Sequence, residues 1–167
     1  AFCTFGKYHN INVEDDVTIF GEYESGATAT FITTTGEAPG TNRLEISGDR
    51  GKLVIENGLL KWWKLAVPER EFCFTATEGF FTSEYTYEEF TAPEPEGHPQ
   101  VLEAFAQAIL NGTEMITRGE EGLNSLLISN AAYLSTWTDG WVELPFDEAR
   151  FEGFLKELCE KENCSKN

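Results

Sequence analysis

Residues 17–35 read Val17-Thr18-Ile19-Phe20-Gly21-Glu22-Tyr23, then Glu24-Ser25-Gly26, then Ala27-Thr28-Ala29-Thr30-Phe31-Ile32-Thr33-Thr34-Thr35. The first seven alternate and are rich in β-branched and aromatic side chains, which suit a pleated, half-buried surface. The next three have turn chemistry. The last nine return with similar composition, so the segment predicts a β-hairpin. The pattern continues in both directions. Ala1-Phe2-Cys3-Thr4-Phe5 reads as the inside of a strand. Gly36-Glu37-Ala38-Pro39-Gly40-Thr41 is a loop by its Gly and Pro content. Arg43 to Ser47 reads as a strand and Gly48-Asp49-Arg50-Gly51 as a tight turn. Lys52 to Glu56 and Leu59 to Leu65 flank Asn57-Gly58, the strongest short hairpin signal in the chain. Glu71 to Thr77 and Glu84 to Thr91 complete the expected strands. Successive hairpins at short spacing predict a largely antiparallel sheet.

The period then changes. Ala92-Pro93-Glu94-Pro95-Glu96-Gly97 is a break, and His98-Pro99 opens a helix whose first turn tolerates proline. Val101, Leu102, Phe105 and Ile109 share one face at helical spacing, and Asn111-Gly112 stops the helix. A second helix is expected from about Glu120 to Asp139, with Leu123, Leu126, Leu127, Ala131 and Leu134 as its apolar stripe. Trp141-Val142-Glu143-Leu144 is short and strand-like. Asp147 can cap a last helix that turns Phe151, Phe154, Leu155 and Leu158 inward. Strands first and helices later is the α+β pattern. The expected architecture is a large open, mainly antiparallel sheet with helices covering one face. The other face must meet water or a partner.

The 167 residues suit one domain, expected over residues 1–160 and followed by a polar tail at 161–167. A chain of this length hides roughly two-thirds of its unfolded surface, enough for a core without disulfide staples. The charge balance, 12 − 29 = −17, opposes binding to nucleic acid or to an anionic membrane surface. It suits a soluble cytoplasmic protein. Cys3, Cys73, Cys159 and Cys164 are irregularly spaced, which indicates neither a disulfide framework nor a zinc site. No signal peptide and no membrane-spanning apolar run is evident. The chain begins inside a strand without an initiator Met, so a fragment of a longer protein is expected.

Little chemistry is visible. There is no G-x-G-x-x-G, P-loop, H-E-x-x-H or G-x-S-x-G. His9 precedes Glu14-Asp15-Asp16, and a histidine near carboxylates can be tuned as a proton shuttle or can sit at a solvated strand end. Three adjacent acidic residues on a strand cannot all point one way, which argues against a metal site there. Arg43 can hold a substrate carboxylate or hydroxyl through two parallel hydrogen bonds, or form a local ion pair at a sheet end. His98 reads as a helix-start residue.

Several motifs occur in a telling order. They are Val13-Glu14-Asp15-Asp16-Val17, Tyr23-Glu24-Ser25-Gly26-Ala27, and Gly36-Glu37-Ala38-Pro39-Gly40-Thr41-Asn42-Arg43-Leu44-Glu45-Ile46-Ser47-Gly48-Asp49-Arg50-Gly51. Later come Phe105, Ala108-Ile109-Leu110-Asn111-Gly112, Gly119-Glu120-Glu121-Gly122-Leu123 and Asn130-Ala131-Ala132-Tyr133-Leu134-Ser135. Together they resemble the C-terminal domain of the glucose–fructose oxidoreductase, inositol dehydrogenase and MocA family (Gfo/Idh/MocA), over nearly the whole chain. The resemblance implies a substrate-binding and oligomerisation domain whose own N-terminal Rossmann domain binds NAD or NADP. It also implies sugar, inositol or related polyol substrates and a homo-oligomer formed through the open sheet face. The family's Glu-Lys-Pro type motif would belong to the absent half. Its Asp-x-x-x-His pair is not matched, since Phe5 stands four residues before His9. No catalytic or cofactor-binding residue is therefore expected in this chain, and none for metal. Lys7, His9, Glu37 and Arg43 are the expected substrate-pocket residues. A cofactor-free carbohydrate-binding or scaffold domain is the alternative.

Overall fold

The computed structural model describes residues 1–77, 79, 81–91, 97–115 and 117–165, with side chains through residue 161. The chain divides into two compact units, residues 1–38 with 107–167 and residues 39–106. The fold is α+β with open antiparallel sheets, as expected, and the strands fall into two of them.

The first unit holds β1 (Phe2–Phe5), β2 (Glu14–Glu22) and β3 (Thr28–Thr34) in the order β1-β2-β3. The opening hairpin forms as read, with Ile19 opposite Phe31 and Val17 opposite Thr33. Opposite residues share a face, so Cys3, Val17 and Ile19 lie together. That face packs on α3 (Gly122–Thr138), where Ala132 and Tyr133 complete the cluster. Leu134 is fully enclosed. A 3-10 turn, Gly119–Glu121, leads into α3, and Asp139 in left-handed conformation ends it.

β1 is the edge strand of this sheet, yet its outward backbone groups are not left bare. Cys3 N–H donates to Thr136 Oγ1 at 2.9 Å, and that hydroxyl donates to Ala1 O at 3.3 Å. The Ala1 nitrogen donates to Ser135 Oγ at 2.7 Å. Two hydroxyls of a helix thus stand in for a neighbouring strand. Beyond them a column of rings joins three elements. Phe5 stacks on Tyr133, Tyr133 on Trp137, and Trp137 on Phe151 at 5.4 Å. Phe151 belongs to α4 (Glu148–Ser165), which Asp147 starts by accepting the Ala149 N–H at 3.0 Å. The helix continues through part of the expected polar tail, to Ser165.

The second unit is built on β4 (Arg43–Gly48), β5 (Gly51–Glu56), β6 (Leu59–Leu65) and β7 (Tyr85–Thr91), paired antiparallel in chain order. Asn57 and Gly58 both take positive φ, 52° and 74°, as a two-residue hairpin turn requires. Register puts Leu44, Ile46, Leu53, Ile55, Leu60 and Phe90 on one face. Four of these, Leu44, Ile46, Ile55 and Phe90, are exposed. The opposite face is charged and aromatic around Val54, which is only 2% exposed.

One expected strand is a helix. Glu71 to Thr77 falls largely in α1 (Glu69–Thr75). The alternation of Phe72 and Phe74 imitates a strand, but Pro68 precedes the helix and Glu69 and Glu71 favour its positive N-terminal end. A remote residue completes the start. Asp49, in the β4–β5 turn, accepts the Arg70 N–H at 2.9 Å through its side chain and the Glu69 N–H at 2.7 Å through its carbonyl. Asp49→Ala should therefore destabilise α1 by about 1 kcal/mol, as loss of an N-terminal cap does. Loss of amide protection confined to residues 69–75 in hydrogen exchange would register it.

Trp141 to Leu144 forms no strand. Helix α2 (His98–Asn111) begins at His98 and stops before Gly112, as read. The Pro-rich break at 92–96 lies outside the described residues.

Candidate functional site: a loop built on Asp15

Residues 6–13 join β1 to β2 and carry two of the four candidate residues, Lys7 and His9. The loop is organised by a single carboxylate. Strand alternation puts Asp15 on the same face as Val17 and Ile19, and its side chain has no exposed area. A buried carboxylate must be matched by donors. Asp15 Oδ1 accepts the Lys7 N–H at 2.9 Å, and Oδ2 accepts the N–H groups of Tyr8 at 2.7 Å and His9 at 2.9 Å. Burial pushes this carboxyl up. The three backbone donors, from Tyr8, Lys7 and His9, outweigh it and bring the pKa down to about 2. The Asp15 carbonyl in turn accepts the Thr35 N–H and the Thr34 hydroxyl, each at 3.0 Å. One residue thus fixes both the loop and the end of β3.

The side chains presented by this loop differ in what holds them. The Lys7 ammonium is bound to the Asp16 carboxylate, which raises its pKa, and lies 4.8 Å from the Tyr8 ring centroid. The Tyr8 ring packs against Gly36, where a Cβ would come within 2.4 Å of it, so a larger residue there would have to displace the ring. The His9 ring is about half-exposed. Its Nδ1 lies 3.2 Å from Thr35 Oγ1 and 3.4 Å from Asp15 Oδ2. Glu37, two residues beyond Thr35, is exposed in the loop after β3. The fold therefore brings Lys7 and His9 together beside Thr35 and Gly36.

Arg43 lies in the other unit. It bonds Glu45 and, at 3.2 Å, Glu56 on the charged face of the four-stranded sheet. Glu45 also takes Lys52 at 2.9 Å. The Lys52 ammonium stands 5.6 Å from the Trp63 ring, and Trp63 packs on Tyr87 at 5.0 Å. Glu45 first and Glu56 second raise the Arg43 pKa, while Arg43 and then Lys52 lower that of Glu45. These are the local ion pairs of a sheet face, on β4 and β5, and the ring contacts carry the row on to β7.

The three acidic residues at 14–16 have three separate partners. Glu14 takes the Tyr133 hydroxyl, Asp15 the loop amides and Asp16 the Lys7 ammonium. Burial, followed by the Glu14 carboxylate, pushes the Tyr133 phenol up. Among the described residues no group of three His, Cys, Asp or Glu side chains could hold a metal ion. No helix among them is long and apolar enough to cross a membrane. Sequence reading placed Asp15 in an acidic cluster able to tune His9, argued against a metal site there, and passed over Thr35. The signal for Asp15 was its place in the Asp15-Val17-Ile19 alternation, which puts a carboxylate on the core face.

An α+β chain of open antiparallel sheets, with a polar loop pinned to a buried carboxylate, fixes a fold class but no activity. Comparison with protein families makes it specific. Residues 4–144 match the description "Oxidoreductase family, C-terminal alpha/beta domain", and the chain belongs to that family, Gfo/Idh/MocA. A domain described as C-terminal implies a companion N-terminal domain. No curated protein matches the chain.

Proposed function

We propose that this chain, over residues 1–160, is the substrate-binding and oligomerisation domain of an NAD(P)-dependent oxidoreductase acting on sugars, inositols or related polyols. The observation that carries the reading is the family match across residues 4–144. The cofactor, NAD or NADP, belongs to a Rossmann domain outside this chain, and hydride passes between substrate and nicotinamide there. This domain holds the substrate's hydroxyls and closes the pocket against water. Lys7, His9 and Glu37, on neighbouring loops of one unit, are the residues proposed to line it. Arg43, already held by two carboxylates, is proposed to reach substrate only by exchanging one of them.

The half-exposed apolar face of the four-stranded sheet supports a homo-oligomer, since such patches seldom stay open to water. The described cysteines Cys3, Cys73 and Cys159 are free thiols, which suits a cytoplasmic protein.

The test compares the chain alone with the same chain joined to its N-terminal domain. NAD(P)H formation is followed across a panel of hexoses, inositols and alditols. The joined protein should turn over at least one polyol and the chain alone none. Turnover by the isolated chain, or a joined protein inert to the whole panel, would remove the reading. Sedimentation of the joined protein adds the assembly test. Leu44→Asp with Ile46→Asp should convert the oligomer to monomers.

A further inference from the structure

The contacts around His9 fix more than its position. A histidine ring in its neutral form carries one proton, and the group facing one nitrogen decides where that proton sits. Two groups face Nδ1. One is Asp15 Oδ2 at 3.4 Å, on a carboxylate whose side chain is fully enclosed and can only accept. The other is Thr35 Oγ1 at 3.2 Å, whose own proton can go to the Asp15 carbonyl at 3.5 Å. A lone pair on Nδ1 would face the charged oxygen and be repelled. A proton on Nδ1 satisfies both neighbours, and the donors then run in one direction, from Nδ1–H to the threonine oxygen and from the threonine hydroxyl to the Asp15 carbonyl. Nε2 is left with its lone pair, without a partner among the described residues, on a ring that is about half-exposed.

We infer that Asp15 and Thr35 are positioning residues that lock the His9 ring with its proton on Nδ1, so that Nε2 is offered outward as a hydrogen-bond acceptor for a hydroxyl of the ligand. The neighbouring Lys7 is a donor and is already held by Asp16, so the loop supplies one acceptor aimed outward beside a paired cation. An outward N–H would instead favour carboxylates and carbonyls. An outward lone pair favours alcohols, and a substrate with several hydroxyls always has one to donate. That the hydroxyl is a polyol's rests on the oxidoreductase reading. That Nε2 is an acceptor does not.

The experiment is long-range 1H–15N correlation NMR on the chain, at a pH where histidine is neutral, with His98 as the internal reference. The His9 ring should show the Nδ1–H form in excess by about tenfold, the bias that one hydrogen bond of ordinary net strength gives. Thr35→Val, which keeps the side-chain shape and removes the hydroxyl, should shift the ratio toward Nε2–H while the backbone spectrum stays folded. A wild-type ring protonated mainly on Nε2 overturns the inference. An unchanged ratio in Thr35→Val removes Thr35 from it. The result is separable from the enzymatic reading. An Nδ1–H ring in a joined protein that oxidises no polyol keeps the positioning and loses the substrate, whereas an Nε2–H ring in an active enzyme does the reverse.

Discussion

Asp15→Asn should unfasten the loop from Gly6 to Val13 while leaving the second unit untouched. The carboxylate receives three backbone N–H groups and is fully enclosed. The amide keeps the volume but loses the charge, and it turns an NH2 group toward at least one donor. Donor then faces donor in a site that water cannot relieve. Hydrogen exchange at Lys7, Tyr8 and His9 should quicken on the order of a hundredfold, with smaller changes at Thr35. Residues 43–65 should exchange as before. The same substitution carries a pH signature. The folded pKa of about 2 lies below the ordinary aspartate value of about 3.9, so the carboxylate's contribution is complete above pH ~4. It disappears as pH falls through about 2. The gap in melting temperature between wild type and Asp15→Asn should accordingly be flat from neutral pH to about 4 and narrow from there to about 2. A gap that widened in acid would show that the carboxylate is not held ionised by the loop.

Leu134→Ala should cost about 3 kcal/mol, because Leu134 is 0% exposed and its removal leaves a hole that the packed surroundings fill only in part. For a chain of this size that corresponds to a drop of roughly 6–12 °C in melting temperature. Leu126 on the same helix provides the control. It is 57% exposed, so Leu126→Ala should stay within about 0.5 kcal/mol. The two variants delete the same atoms from the same helix and differ only in what surrounds them. Equal losses would mean that α3 is not seated as described.

How legible these features were depends on whether the deciding contact was local. Asn57-Gly58, Asn111-Gly112 and Asp147 act within a turn of themselves, and each reading agrees with the structure. Helix α1 was misread because two phenylalanines two apart look like a strand, while one of its caps, Asp49, lies some twenty residues upstream. The division of the strands into two sheets was not legible either. Chain order says which strands are consecutive, but not that β3 and β4, on either side of the Gly36–Thr41 loop, go unpaired. The acidic run was legible as carboxylates close to His9, but the partner of each was not. Alternation alone put Asp15 inward, yet only the folded loop shows that its ligands are backbone amides. Thr35 carried no local signal, since it closes a run of threonines and is singled out only by the histidine lying 26 positions before it.

The hydroxyls of Ser135 and Thr136 on the edge of β1 have a bearing on how the chain is made. They join residues 133 to 135 positions apart, so the first strand emerges from synthesis long before the groups that seal it. Until α3 exists, the three-stranded sheet has two raw margins, and the one at β1 can be satisfied by any passing strand, including that of a sister chain. Closing it late is also slow, because so wide a loop must be gathered before any contact rewards it. Truncation anywhere before residue 136 should therefore yield not a smaller soluble unit but a sticky one, and the final third of the chain serves the first few residues as a built-in chaperone.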